Sequence, residues 1–242
     1  MNQGREARIW ASIAARATGN GTQVAPSDIC RACAADLDLA GVAVVLMTPP
    51  DRRHVSGMAG TLAEPLEDLQ TVVGEGPVAD AWDGRRPVLA RPLSAPEYAR
   101  RWPAFTPAAA RLGVEAAFAF PLQVGAIRLG VLSAYRRTGT PLSDDELSDA
   151  LVYADAATVM TLELGAGDGF AAPVDVHGLT SASTAVVYQA TGMASVQLGT
   201  SVEEAFVRLR AYAYAYDRRL VDVARDIVAR RLRLAAESEG AG

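Results

Sequence analysis

The stretch Glu115-Ala116-Ala117-Phe118-Ala119-Phe120-Pro121-Leu122-Gln123-Val124, then Gly125-Ala126, then Ile127-Arg128-Leu129-Gly130-Val131-Leu132-Ser133-Ala134-Tyr135, is two apolar runs of strand length joined by a two-residue loop. This pattern predicts a β-hairpin, because such a loop matches the twist of paired antiparallel strands. Upstream, Val42–Thr48 is a β-branched apolar run stopped by Pro49-Pro50-Asp51, and Arg53–Ala59 reads as its returning partner. Pro87–Ala90 is a further short strand. Helical segments lie between them: residues 5–17, with Ile9, Ile13 and Ala17 four apart; residues 27–37, between Pro26 and Gly41; and residues 98–112, around Trp102-Pro103. Leu66–Val73 runs into Gly74-Glu75-Gly76-Pro77, a tight turn that opens a helix with Pro77 near its first position. Helix, hairpin, helix, strand, helix, hairpin, helix is the order of a mostly antiparallel sheet with flanking helices, an α+β fold.

Downstream the period changes. Ser143-Asp144-Asp145-Glu146 is a capping box, in which hydroxyl and carboxylate each accept from the other residue's backbone N–H. It opens a predicted helix of about twenty residues, with Leu147, Leu151, Ala154, Thr158 and Leu162 as its apolar stripe. Gly165–Pro173 lacks periodicity and is rich in glycine, so it reads as a linker. Leu179–Leu198 is helical without one charged side chain, a pattern of helices packed on several sides or pressed on a partner. Gly199 ends it. Ser201-Val202-Glu203-Glu204 is a second capping box, starting a helix with Ala205, Phe206, Leu209, Ala213 and Tyr216 inward. Asp217 is the expected cap of a third helix, where Leu220, Val223, Ala224, Ile227 and Val228 recur at three and four. The expected plan is an N-terminal helix (1–19), a sheet domain (20–164), a linker (165–174), a three-helix bundle (175–234) and a tail (235–242).

Half of the residues are hydrophobic, so a packed core is expected. Every basic residue is Arg, a bias that a GC-rich genome explains better than chemistry. The net charge of −5 excludes a whole-protein basic field for nucleic acid, so any such contact needs a local patch. No long uncharged apolar run or leader-like segment is present, and the two cysteines are too few for a secreted disulfide scaffold. A cytoplasmic location without membrane contact is the expectation.

Val73-Gly74-Glu75-Gly76-Pro77, Gly84-Arg85-Arg86-Pro87-Val88 and Arg101-Trp102-Pro103-Ala104-Phe105 together resemble the mid-section of GAF domains in actinobacterial regulators. Gly113-Val114, Phe120-Pro121-Leu122 and Gly130-Val131-Leu132 extend the likeness. Gln189-Ala190-Thr191-Gly192-Met193 and Ser201 through Ala205, continued by Leu209, Ala213, Arg218, Leu220 and Val223-Ala224, resemble an ANTAR domain, the RNA-binding module of transcription antitermination regulators. The resemblance implies a GAF-like mostly antiparallel sheet with flanking helices, followed by an all-α three-helix ANTAR-type bundle. It also implies a signal-responsive regulator, homodimeric through its terminal helices, whose partner is a structured hairpin in a nascent transcript. ANTAR domains carry Lys before the glycine of the first helix, and that place is Thr191 here. Either Arg elsewhere supplies the cation, or the bundle has lost RNA and serves dimerisation or protein docking. The charge-free helix favours the second.

Eight arginines stand between Arg208 and Arg233, and Arg suits RNA because its planar fork grips phosphate and stacks on bases. Tyr212, Tyr214 and Tyr216 interleave with them, Tyr212 and Tyr216 sharing a face. In the family's arrangement Arg218-Arg219 lies beside small residues that admit a nucleic-acid backbone. The residues expected at RNA are therefore Ala190, Thr191, Gly192, Arg208, Arg210, Tyr212, Arg218 and Arg219. The competing reading is a solvated charged face. A GAF-like fold implies a cavity for an unidentified small ligand, with Trp82, Tyr98, Trp102, Phe105, Phe118 and Phe120 as candidate lining residues, against ordinary core packing. No cofactor is implied.

Cys30-Arg31-Ala32-Cys33 places two thiols a turn apart on a helix, but only His54 and His177 remain to complete a metal site. Two small core residues are expected instead, and the lack of a third cysteine argues against a reductase. His54 reads as a solvated or satisfied side chain on a strand edge. Asp80, Asp83, Glu64, Glu67 and Asp68 read as surface charge. No nucleophile, base and orienting acid fall in register, and no enzyme is expected.

Overall fold

The chain runs α1 (Gln3–Arg16), α2 (Pro26–Asp36), β1 (Gly41–Thr48), β2 (Arg52–Ala59), α3 (Ala63–Val73), α4 (Pro77–Gly84), β3 (Val88–Ala90), α5 (Pro96–Arg101), α6 (Phe105–Arg111), β4 (Ala116–Val124), β5 (Ile127–Arg136), α7 (Asp144–Ala166), α8 (Ala182–Leu198), α9 (Val202–Ala215) and α10 (Leu220–Val228). This computed structural model describes residues 3–17, 24–48, 52–166 and 182–234. The Pro49–Asp51 turn, most of the Gly165–Pro173 linker and His177 lie outside the described residues.

The five strands lie in the order β2-β1-β5-β4-β3, antiparallel at every step. The β4–β5 hairpin is the sheet's longest ladder, closing with Val124 opposite Ile127. Successive strand side chains point to opposite faces, so each strand feeds two cores. Val42, Val44, Phe118, Phe120, Leu122, Leu132 and Ala134 face α1, α2 and α7. Ala43, Val45, Ala117, Ala119, Val131 and Tyr135 face the α3–α6 side, where Leu66, Val78, Trp102 and Phe105 complete the core. Ile9 and Ile13 of α1 are fully buried in the first of these cores, so this helix is an integral layer of the sheet domain.

The first capping box takes the expected form: Glu146 N–H donates to Ser143 Oγ at 3.2 Å while Ser143 N–H donates to Glu146 Oε2 at 2.7 Å. At the second, Glu204 N–H donates to Ser201 Oγ at 3.1 Å, while Glu204 Oε1 turns to Arg208, so the hydroxyl cap forms without its reciprocal half. The Gly74–Pro77 turn also acquires a reason. Glu75 Oε1 accepts from the backbone N–H groups of Ala104 and Phe105 at 2.6 and 2.9 Å, satisfying donors at the start of α6. Gly76 has φ 134°, and a Cβ there would lie 2.5 Å from Gln70 Oε1. Only glycine fits both demands.

Four sequence expectations need correction. Leu151 is exposed, because the buried stripe of α7 passes through Ala150, Tyr153, Ala157 and Met160. Tyr216 is exposed at the end of α9 rather than inward. Asp217 takes a left-handed turn (φ 48°), and α10 is opened by Arg219 without a side-chain cap. Glu67 is buried at 3 % exposure rather than lying on the surface. His54 is buried on β2, which leaves the satisfied one of its two readings.

α8, α9 and α10 pack around Ala190, Ala194, Ala205, Leu209, Ala213, Leu220, Val223, Ala224 and Ile227. Val72, from the end of α3, packs on this bundle core from the sheet domain.

Candidate nucleic-acid interface and interdomain cavity

The residues expected at RNA fall into three groups. Ala190 and Thr191 are buried, and the Thr191 hydroxyl donates to Val187 O at 2.8 Å on its own helix. Gly192 is half-buried, with open space where a Cβ would stand.

A second group stands on the outer side of the bundle. Arg208 and Tyr212 are four apart on α9, and Tyr216 follows at its C-cap. The Tyr212 and Tyr216 rings lie 4.4 Å apart between centroids. Next to them Arg218 Nη2 donates to Asp226 Oδ2 at 2.6 Å, and Arg231 reaches Asp226 Oδ1 at 2.8 Å. Asp226 thus holds two guanidinium groups side by side. Their hydrogen bonds keep its carboxyl below the usual range. Arg208 pairs with Glu204 one turn back. The result is a close, tilted aromatic pair bordered by cations, a surface suited to unpaired bases and phosphates.

A third group turns toward the sheet domain. Arg219 Nη2 donates to Glu64 Oε1 and Asp68 Oδ2, both at 2.8 Å, and its Nε reaches Asp68 Oδ2 at 3.1 Å. Arg210 Nε donates to Val72 O at 2.8 Å, and its guanidinium lies 5.9 Å from the Phe206 ring centroid. Gly74 makes room for it, since a Cβ there would stand 2.1 Å from Arg210 Nη2.

Between the sheet domain and the bundle lies a cavity of about 450 Å³, bordered by Arg53, Glu67, Trp82, Tyr188, Thr191 and Phe206 among others. Its polar wall is a buried network. Ser133 Oγ and Tyr135 OH each donate to Glu67 Oε1 at 2.5 Å, and Gln70 Nε2 donates to Tyr135 OH at 2.6 Å. Gln70 Oε1 in turn accepts from Val78 N–H. Glu67 Oε2 faces Arg53 Nη2 at 3.8 Å, beyond hydrogen-bond reach. Burial pushes the Glu67 carboxyl up and the Arg53 guanidinium down, each partly offset by the other's charge. Burial and the nearby Arg53 both lower Arg210. Tyr188 OH donates to Arg53 O, tying α8 to β2.

The six aromatic candidates do not converge on one cavity. Phe118 and Phe120 belong to the face covered by α1, α2 and α7. Tyr98, Trp102 and Phe105 pack together on the other face, with rings 5.4 and 5.9 Å apart, and Trp102 Nε1 donates to Asp80 Oδ2. Trp82 alone of the six borders the interdomain cavity, with Arg128 stacked 4.4 Å over its ring. The separation follows from the two-residue period of β4, which sends Phe118 and Phe120 to the same side. Cys30 and Cys33 are buried, reduced residues of the α2 core, and burial pushes the Cys30 thiol up to about 12. Among the described residues no helix is long and apolar enough to cross a membrane.

Residues 180–228 match the ANTAR domain family. The sheet domain is similar in fold to the GAF domain of a phosphoenolpyruvate-protein phosphotransferase from Acinetobacter, at 13 % identity and TM-score 0.50 over 69 % of this chain and 97 % of that one. The corresponding GAF domain from Coxiella burnetii matches at 14 % identity and TM-score 0.50, over 69 % and 99 %. No curated protein matches the sequence. The chain therefore carries a segment of the ANTAR domain family at residues 180–228, preceded by a domain of GAF fold.

Proposed function

We propose that this chain is a signal-responsive regulator of transcription antitermination, in which the GAF-fold domain (20–164) controls hairpin RNA binding by the ANTAR bundle (175–234). The observation that carries the reading is the ANTAR match falling on a bundle whose outer side presents the Tyr212–Tyr216 pair between Arg208 and Arg218. The signal is a small ligand in the interdomain cavity, where Arg53 and Glu67 supply a donor and an acceptor and Trp82 and Phe206 supply apolar walls. Exposed Trp10 on α1, with Leu151 and Val159 on α7, supports homodimerisation through these helices.

Filter binding of the full chain to paired short-loop hairpins across a salt series tests the reading. Binding should weaken steeply with salt, and Arg218→Ala should weaken it on every hairpin and reduce the salt slope by about one. An unchanged affinity in the variant removes Arg218 from the site. Failure of the folded wild type to bind any hairpin leaves a protein-docking bundle.

A further inference from the structure

Four of the bundle's eight arginines pair with acids of the bundle itself: Arg208 with Glu204, Arg225 with Asp222, and Arg218 and Arg231 with Asp226. Arg219 is different, for both of its carboxylates come from α3 of the GAF-fold domain. Arg210 also turns outward, to a backbone carbonyl of the same helix.

We propose that α3 stands in for RNA phosphate, so that RNA and α3 compete for Arg210 and Arg219. The inference rests on the RNA-binding reading above. The chemistry of α3 fits the role. Glu64, Asp68 and Val72 are four apart, so they form one ridge along the helix. Two carboxylates converge on one guanidinium as phosphate oxygens do. The ridge ends at the carboxyl terminus of the helix, where the last carbonyls lack helical partners and carry the negative end of the dipole. Val72 O is one of these, and Arg210 satisfies it. The left-handed Gly74 (φ 73°), which ends α3, leaves the space that the Arg210 guanidinium fills. Val72 adds an apolar contact with the bundle core.

The clasp is built to be reversible. Arg219 and Glu64 are each 44 % exposed and Asp68 is 24 % exposed, so each pair shifts the docking equilibrium only a few-fold. A strand of phosphates can displace such contacts.

The test uses the full chain carrying Glu64→Gln and Asp68→Asn, which keep size and remove the charge. Hairpin RNA should bind about 5- to 10-fold tighter than to wild type, because the docked fraction no longer holds the site closed. Glu97→Gln with Glu163→Gln makes the same net charge change at exposed positions away from the clasp and should leave affinity within about twofold. In wild type, RNA should raise amide hydrogen exchange along residues 63–74 as α3 is uncovered. Equal affinities for wild type and the clasp variant, an equal gain in the control, or RNA binding with α3 protection unchanged overturns the competition alone. No RNA binding by either protein at low salt overturns the RNA reading and the competition with it.

Discussion

Replacing Glu67 by Ala should destabilise the fold by about 3–5 kcal/mol, the cost of leaving one partner of a buried ion pair uncompensated. The magnitude follows from what each neighbour loses. Ser133 Oγ keeps a contact with Ala43 O at 3.3 Å, whereas Tyr135 OH still accepts from Gln70 Nε2 at 2.6 Å but loses the acceptor of its own proton. Arg53 is the dominant loss. Its side chain is 14 % exposed, the facing carboxylate is 4 % exposed, and its Nε and Nη2 have no hydrogen-bond partner. The melting temperature should fall by about 10 °C, read by circular dichroism with urea unfolding alongside. A loss under about 1 kcal/mol would mean that the network is solvated or slack, and would refute the reasoning.

The same carboxyl carries a pH signature. Burial raises its folded pKa above the ordinary 4.5, with Arg53, Ser133 and Tyr135 only partly offsetting this. The folded state therefore binds the proton more tightly than the unfolded state does. Stability from this group is greatest below about 4.5 and falls as pH rises through the folded value. Glu67→Gln keeps the shape and removes the titration. The stability difference between wild type and this variant should move against wild type with rising pH above 4.5. A pH-independent difference would contradict a raised carboxyl.

Two further outcomes are expected. A thiol reagent at neutral pH should leave Cys30 and Cys33 unlabelled in the native chain and label both in denaturant, since both are buried and their thiols are pushed up; rapid native labelling contradicts this. Burial pushes the Glu146 carboxyl up, but the Ser143 N–H and Arg136 outweigh it and hold it below 4.5, so its advantage over Glu146→Gln should be present above 4.5 and lost as pH falls further. Acid titration of the two stabilities decides it.

The parts of the fold legible in the sequence are those set by neighbours along the chain. The hairpin follows from two apolar runs and a Gly-Ala loop, and the serine caps of α7 and α9 from residues three apart. The helix period through the acids around Glu67 also carries its burial. Ala63, Leu66 and Gln70 are buried at i, i+3 and i+7, and Glu67 is the missing i+4 member of that stripe. Its neighbours Glu64 and Asp68 fall on the adjoining, more exposed flank, so three similar acids within five residues have different environments. The aromatic candidates failed differently. Strand parity pairs Phe118 with Phe120, but which face receives α5 and α6 is decided by tertiary packing. The division of the arginines also has no local sign, for it depends on α3 lying across α9 and α10.

That division gives physical content to Thr191, where the sequence departs from the ANTAR pattern. Thr191 borders the interdomain cavity together with Arg53 and Arg210, two guanidinium groups close enough that one lowers the other's proton affinity. A lysine there would place a third cation in a covered space whose nearest buried carboxylate is already engaged by Ser133 and Tyr135. Threonine returns its hydroxyl to Val187 O and leaves the space open. The same helix, α3, then meets the cavity with its buried face and the bundle with its acidic ridge. On the proposed reading, a ligand that rearranges Glu67 would act on the helix that holds Arg219 and Arg210. Because the clasp is half-exposed and weak, a ligand needs only a modest preference for one arrangement to shift the balance.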